Sequence, residues 1–179
     1  MIADDCTYLD MEVYGGQART PTLNKLAKEG LTFNRCFQTA PMCSPTRHNI
    51  YTGLYPVRSG AWPNHTRVYP GTKSIAHYLG DSGYRVALSG KGHISPRESF
   101  PFEYSNDFST NTPETRPFFP NLKKFIAECR SSDTPFCLVA CSNEPHSPYT
   151  MGDASASVSY THLRAHETLR YLVCRLLLE

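Results

Sequence analysis

Apolar positions along this chain follow two rhythms, one of helices and one of strands. Thr20-Pro21 supplies an N-cap and a first helical residue; Leu23, Leu26 and Ala27 form one face, and Gly30 ends the predicted helix. Residues 31–37 read as a strand, with Leu31, Phe33 and Arg35 on one side. Residues 40–44 read as a loop, after which Pro45 starts a second helix that Gly53 stops. Residues 54–72 hold Pro56, Gly60, Pro63, Pro70 and Gly71 and are expected to form a long surface loop. A helix over residues 74–82 turns Ile75, Tyr78 and Leu79 inward and ends at Gly83. Residues 84–88 form a strand that runs into Gly90-Lys91-Gly92-His93, and residues 95–120, rich in Pro, Ser, Thr and Asn, are irregular. A helix over residues 121–130 has Leu122, Phe125 and Ile126 on its apolar side. Residues 136–140 are almost continuously apolar, as in a strand buried on both faces of a parallel sheet. Helices alternating with such strands predict an α/β sandwich with a mostly parallel sheet, without internal repeats.

Composition narrows the classes. The 179 residues suffice for one domain with a core, and 40% apolar with 19% charged residues fits a globular chain. A net charge of +2 is too small to argue for nucleic acid or an acidic membrane as partner, and neither is expected. No apolar run approaches the ~20 residues of a membrane span; the run at residues 172–178 is short and carries Cys174 and Arg175. No signal peptide opens the chain, and Met1-Ile2-Ala3 reads as the last part of a strand, so the fold is expected to be truncated at its start. The seven cysteines match no zinc spacing, and Cys6, Cys36, Cys129, Cys137 and Cys141 read as small buried hydrophobes. Residues 158–179 break the alternation and read as translated adapter sequence. Residues 154–179 are therefore set aside as a non-native tail, and His162, His166 and Cys174 receive no role.

Chemistry-bearing residues stand at the ends of predicted elements. Asp4-Asp5 follows Ile2-Ala3. Adjacent carboxylates converge on one ion only where the chain leaves its strand, and such oxygen ligands suit a hard divalent cation. Alone, the pair is better explained by a solvated acidic turn; its place after Ile2-Ala3, at a strand end, shifts the balance toward an ion site. Cys43 lies just before Pro45, at a helix start, where a thiol's pKa falls. It reads as a buried structural cysteine or as a thiolate nucleophile. Arg47 is one turn further on the same face. Lys91 and His93, one residue apart in a segment expected to be extended, are expected to point the same way. Glu144-Pro145-His146-Ser147-Pro148-Tyr149 follows the last strand.

These motifs, in this order, resemble the type I, formylglycine-dependent sulfatases of the alkaline phosphatase superfamily. Cys43-Ser44-Pro45-Thr46-Arg47 matches their Cys-x-Pro-x-Arg signature, and Thr52-Gly53-Leu54-Tyr55-Pro56 follows it as it usually does. Ile2-Ala3-Asp4-Asp5 looks like the first metal motif, and Thr20-Pro21-Thr22-Leu23 with Leu26-Ala27 and Glu29-Gly30 like the first helix. Gly90-Lys91-Gly92-His93 matches the second signature, and Pro145-His146-Ser147-Pro148 a third. The resemblance covers residues 1 to about 150. It implies an alkaline-phosphatase-like α/β sandwich, truncated at both ends, with residues 1–153 the N-terminal part of a sulfatase catalytic domain.

The resemblance also implies roles. Cys43 is oxidised to formylglycine, whose hydrate attacks sulfur and then releases sulfate by elimination. Asp4, Asp5 and residue 43 hold Ca2+, with Mg2+ the alternative. Arg47 holds the hydrate, Lys91 bridges it to a sulfate oxygen, and His93 takes its proton. His146 bonds the sulfate or protonates the leaving oxygen. The family's second metal motif, an acidic residue followed by Asn or His, lies beyond this chain, and Asp153 is not assigned as a ligand. Residues 90–95, Pro101-Phe102-Glu103-Tyr104 and Phe136-Cys137-Leu138-Val139-Ala140 are similar to the heparan N-sulfatase branch, which implies a sulfated carbohydrate substrate, with algal or host polysaccharides as the alternatives. Tyr55, Trp62 and Tyr69 either stack on sugar rings or cover the core. Two readings compete with sulfatase: a phosphonate or phosphodiester hydrolase of the same superfamily, and an inactive anion-binding fragment. A formylglycine-generating maturation enzyme is the implied partner, and a periplasmic or secreted location the implied compartment. The Asn64-His65-Thr66 sequon is taken as chance.

Overall fold

The structure is a computed structural model that describes residues 1–104, 119–142 and 146. The chain divides into two compact units, one of residues 1–2 and 37–141, the other of residues 3–36 and 142–179.

The first unit is built on a parallel sheet. Its central strand, β1 (Arg85–Gly90), is flanked by β2 (Glu103–Tyr104) and β3 (Phe136–Cys141). The register pairs Leu88 with Tyr104 on one side and Val139 on the other. Ile2 extends the order by one residue beyond β3, bridging Cys141 in parallel and donating its N–H to Ala140 O at 2.8 Å. Parallel strands end together, so the chain leaves β1, β3 and Ile2 on one edge, where such sheets collect ligands.

The period-2 alternation of β1 divides the core. Val86 and Leu88 join Tyr51, Ala61, Val68, Ala76, Phe100, Phe102 and Cys141 in one cluster. Ala87, between them, packs in a second with Phe125 and Cys129. The helices of the first unit are α2 (Cys43–Thr52), α3 (Pro56–Ser59), α4 (Ile75–Asp81) and α5 (Phe119–Ser131). Tyr51 of α2 and Ala76 of α4 thus belong to the first cluster, and Phe125 and Cys129 of α5 to the second. This is the expected sandwich. Arg85 ties three elements together: its guanidinium donates to Glu103 and Glu128 and lies over the Phe125 ring.

In the second unit, two short 3-10 turns, Tyr8–Asp10 and Glu12–Tyr14, precede α1 (Pro21–Glu29). Thr7 N–H donates to Asp10 Oδ2 at 2.8 Å, and Thr20 N–H to Glu12 Oε2 at 3.2 Å.

Several expectations fail for physical reasons. Residues 31–37 form no strand; Leu31 and Phe33 are exposed, and among the described residues no strand pairs with them. Residues 54–72 are no surface loop, since Ala61, Val68 and Ser59 are fully buried and α3 lies within them. The inward face of α4 is set by Ala76 and Leu79, while Ile75 and Tyr78 are exposed; the small residue allows the closer approach. On α1, Leu26 is exposed. Most of β3 is half-buried rather than covered on both faces; only Cys141 is buried. Of the cysteines expected inside, Cys129 and Cys141 are buried, Cys6 and Cys137 half-buried, and Cys36 exposed. Residues 105–118 and 154–179 lie outside the described residues, and so do the expectations that fall there.

Candidate active site

Asp4 and Asp5 follow Ile2, and the chain turns at once: Asp5 has φ +55, in the left-handed region. Aspartate tolerates that region better than most residues. In an extended chain the two carboxylates would face opposite ways. Here Asp4, buried, and Asp5, half-exposed, each bring a ligand atom, with a nitrogen of His146, to within 4.8 Å of one another. His146 Nε2 is 3.6 Å from Asp5 Oδ2. Two carboxylates and an imidazole form a donor set that fits a divalent cation. The sequence reading grouped the doublet but kept His146 apart from it. The neighbours of His146, residues 143–145 and 147–150, lie outside the described residues.

Cys43, Arg47, Lys91 and His93 belong to the first unit. Met42, extended, caps α2, which makes Cys43 its first residue; Gly53, at φ +70, closes the helix with its N–H on Asn49 O at 2.8 Å. The Cys43 thiol is half-buried at the helix N-terminus, where the aligned peptide dipoles favour negative charge. Arg47 is buried four residues on and donates from Nη1 to Lys91 O at 2.8 Å. The guanidinium therefore fixes the backbone that presents Lys91, alongside any charge it places at the site.

The Gly90–His93 segment is not extended. Gly90 has φ +85 and His93 φ +50, so the equal-facing argument for Lys91 and His93 does not hold. The cause is the sheet. Cys141 O approaches Gly90 so closely that a Cβ there would lie 1.8 Å from it, and the same carbonyl receives Lys91 N–H at 3.3 Å. Only glycine fits, and the chain must fold back as it leaves β1.

Sequence reasoning missed three residues. His48, on α2, is fully buried, edge-on to Phe100. Ser95 N–H donates to its Nε2 at 3.0 Å, which leaves the ring proton on Nδ1 to donate to Ser44 O at 2.7 Å. Burial holds its pKa below the ordinary imidazole value, against the opposing pull of the Ser44 and Ser95 carbonyl oxygens beside the ring. Tyr51, one turn after Arg47, is buried with its hydroxyl 3.4 Å from Cys141 Sγ. Burial and that sulfur push the phenol well above its ordinary range and keep it neutral. Asn64 sits against the start of α2: Ser44 N–H and Cys43 Sγ approach its Oδ1 at 3.4 and 3.8 Å. A polar Asn64-His65 pair between buried Ala61 and Val68 was the available signal.

Comparison with known proteins decides the family. The sulfatase family model matches residues 1–162. The chain belongs to the sulfatase family. An ulvan-active sulfatase of Formosa agariphila is 31% identical over 149 residues, covering 83% of this chain and 30% of that protein. Human N-sulphoglucosamine sulphohydrolase is 25% identical over 154 residues, covering 82% of this chain and 31% of its own. The sulfatase chain thus spans about a third of the length of these curated relatives. Among solved structures, Ps i-CgsB superposes with TM-score 0.78 at 21% identity, over 98% of this chain and 51% of that one. A protein crystallised with its substrate D-glucosamine-2-N,6-O-disulfate gives TM-score 0.69 at 22% identity, over 83% and 34%. The phosphonate monoester hydrolase of Agrobacterium radiobacter is more distant, with TM-score 0.59 at 18% identity over 88% and 44%. The fold is the alkaline-phosphatase-like α/β fold of these proteins. Among the described residues no helix is long and apolar enough to cross a membrane.

Proposed function

We propose that this chain is part of a sulfatase that hydrolyses sulfate esters or N-sulfate groups of a glycan, acting through a formylglycine made from Cys43. The observation that carries the reading is the placement of Cys43 as first residue of α2, with Arg47 buried one turn on, in a chain that matches the sulfatase family. Asp4 and Asp5, with residue 43, are assigned to a divalent cation, Ca2+ first and Mg2+ second. Such an ion polarises sulfate oxygens and acidifies the attacking hydroxyl when bound. The formylglycine hydrate supplies that hydroxyl and a second one for release of sulfate.

The chain's own residues do the rest. Arg47 orients the nucleophile position and the Lys91 backbone together. Lys91 offers its ammonium to a sulfate oxygen, His93 takes a proton from the hydrate, and His146 serves the sulfate or the leaving oxygen. The ulvan-active and N-sulphoglucosamine relatives favour a sulfated carbohydrate. Maturation by a formylglycine-generating enzyme and a periplasmic or secreted location go with that reading. Parallel rates on an aryl sulfate and an aryl phosphate diester test it. Faster sulfate release supports it; a preference for the phosphate diester favours the phosphonate or phosphodiester hydrolase reading.

A further inference from the structure

Two consecutive residues of α2 reach across to the segment that carries Lys91 and His93. Arg47 takes its near end, donating from Nη1 to Lys91 O at 2.8 Å. His48 takes its far end. Its Nε2 receives the Ser95 N–H at 3.0 Å, two residues beyond His93. The side chain at position 43 sits one turn earlier on the same helix. One helix therefore carries both the nucleophile position and the two holds on this segment.

The His48 ring has one arrangement that suits its neighbours. An amide N–H only donates, so Nε2 accepts from Ser95 and the ring proton lies on Nδ1. There it donates to Ser44 O at 2.7 Å, with Ser44 Oγ 3.3 Å away. The other tautomer would set an Nε2–H against the Ser95 N–H and leave a bare Nδ1 facing the Ser44 carbonyl. Phe100, fully buried in the cluster of Tyr51 and Leu88, packs edge-on to the ring with centroids 5.3 Å apart. The imidazole is thus held in place and in polarity.

The far end of the segment depends on such a hold. The chain leaves β1 through Gly90 at φ +85 and turns again at His93, φ +50, in the left-handed region where non-glycine residues are uncommon. Residues 91–96 belong to no helix or strand, so no ladder fixes their backbone. Ser95 is gripped instead: His48 binds its N–H, and its C=O receives the Val68 N–H at 3.0 Å. A backbone of this kind persists where its surroundings over-determine it.

We propose that His48 is a positioning residue, which through the Ser95 amide sets where the Lys91–His93 backbone stands relative to the side chain at position 43. The assignment rests on the sulfatase reading, in which Lys91 and His93 act on a group carried at position 43. His48 itself acts through Ser95 and not on the reacting atoms.

Three variants separate the two bonds of the ring. The carboxamide of Gln reaches as far as Nε2, so His48→Gln keeps an acceptor for Ser95 and gives up the bond to Ser44. Asn reaches only as far as Nδ1, so His48→Asn keeps a donor for Ser44 and gives up Ser95. His48→Phe fills the space against Phe100 and makes neither bond. Either of the last two serves as the partner of His48→Gln, so misfolding of one leaves the comparison intact. The first readout is hydrogen exchange at the Ser95 amide. It should be slow in the wild type and in His48→Gln, and about fivefold or more faster in His48→Asn and His48→Phe, as the loss of one buried hydrogen bond implies. Equal exchange in the Gln and Asn variants overturns the proposal.

The second readout is sulfate release by the matured protein. His48→Asn and His48→Phe should lower kcat about tenfold or more, and His48→Gln should recover most of it, as expected for a group that orients reacting residues. A merely structural histidine predicts similar losses from Gln and Asn, since each gives up one buried bond. Similar losses, or no loss in any variant, overturn the proposal and leave the sulfatase reading intact. Wild-type protein that releases no sulfate refutes the sulfatase reading, and amide exchange still decides whether His48 holds Ser95.

Discussion

Replacing Gly90 by alanine tests the physical account of how the sheet presents Lys91. At φ +85 the new Cβ would lie 1.8 Å from Cys141 O and 2.9 Å from Cys141 C, against an ordinary contact of 3.4 Å or more. Both obstacles are backbone, so β3 or the Gly90 turn must retreat by about 1.5 Å. The left-handed conformation costs alanine roughly 1–2 kcal/mol. Opening the end of the β1–β3 ladder forfeits hydrogen bonds worth about 1 kcal/mol each, including that of Lys91 N–H to Cys141 O at 3.3 Å. The total is about 3–5 kcal/mol, or a fall in the thermal midpoint of about 6–20 °C for a chain of this size. Gly71→Ala is the control: Gly71 has φ +80 and nothing within 4 Å of its hypothetical Cβ. It should lose only the conformational cost, about 1–2 kcal/mol. Thermal and urea denaturation of both variants reads the difference. Equal losses would refute the claim that the Cys141 carbonyl dictates glycine at position 90.

Other outcomes follow from the same geometry. Arg47→Lys should not substitute, because an ammonium cannot reproduce the guanidinium fork that reaches Lys91 O; kcat/KM should fall about hundredfold, and retention of near wild-type rates would contradict the role. His48 is held neutral by burial, so its folded pKa lies below the ordinary 6.5. Its contribution is therefore complete above pH 6.5 and shrinks as pH falls below that value, because the unfolded chain gains the proton first. The stability gap between wild type and His48→Gln, from urea midpoints at about pH 7.5 and about pH 5, should narrow toward acid, and a constant gap would contradict the assignment. Calcium at a hundredfold its dissociation constant should stabilise the wild type by about 2.7 kcal/mol and leave Asp4→Asn unmoved. An equal shift in both would remove Asp4 from the ion site.

Sequence pattern located the elements that are set locally. Thr20-Pro21 starts α1 and Gly53 ends α2, because caps and positive φ values are properties of single residues. The strand and helix that carry Leu88 and Phe125 were legible from period alone. Faces and loops were not. Ala76 wins the inward side of α4 over the larger Ile75 and Tyr78 because close approach to the sheet rewards a small residue. Residues 31–37 carry a strand-like alternation, but pairing depends on a neighbour that local pattern does not encode. At the candidate site, residue types and order pointed to Asp4, Asp5, Cys43, Arg47, Lys91, His93 and His146. The left-handed turns at Asp5 and His93 and the approach of Asn64 to the start of α2 arise from three-dimensional packing, and a sequon reading of Asn64-His65-Thr66 concealed the last of these.

The central claim concerns the side chain at position 43. The protein, made in cells with an active formylglycine-generating enzyme, is digested and the peptide containing Cys43 is weighed. The account predicts a peptide lightened by replacement of the thiol-bearing CH2SH with an aldehyde CHO, shifted further by a hydrazine probe. A peptide that keeps its full cysteine mass and ignores the probe would contradict it.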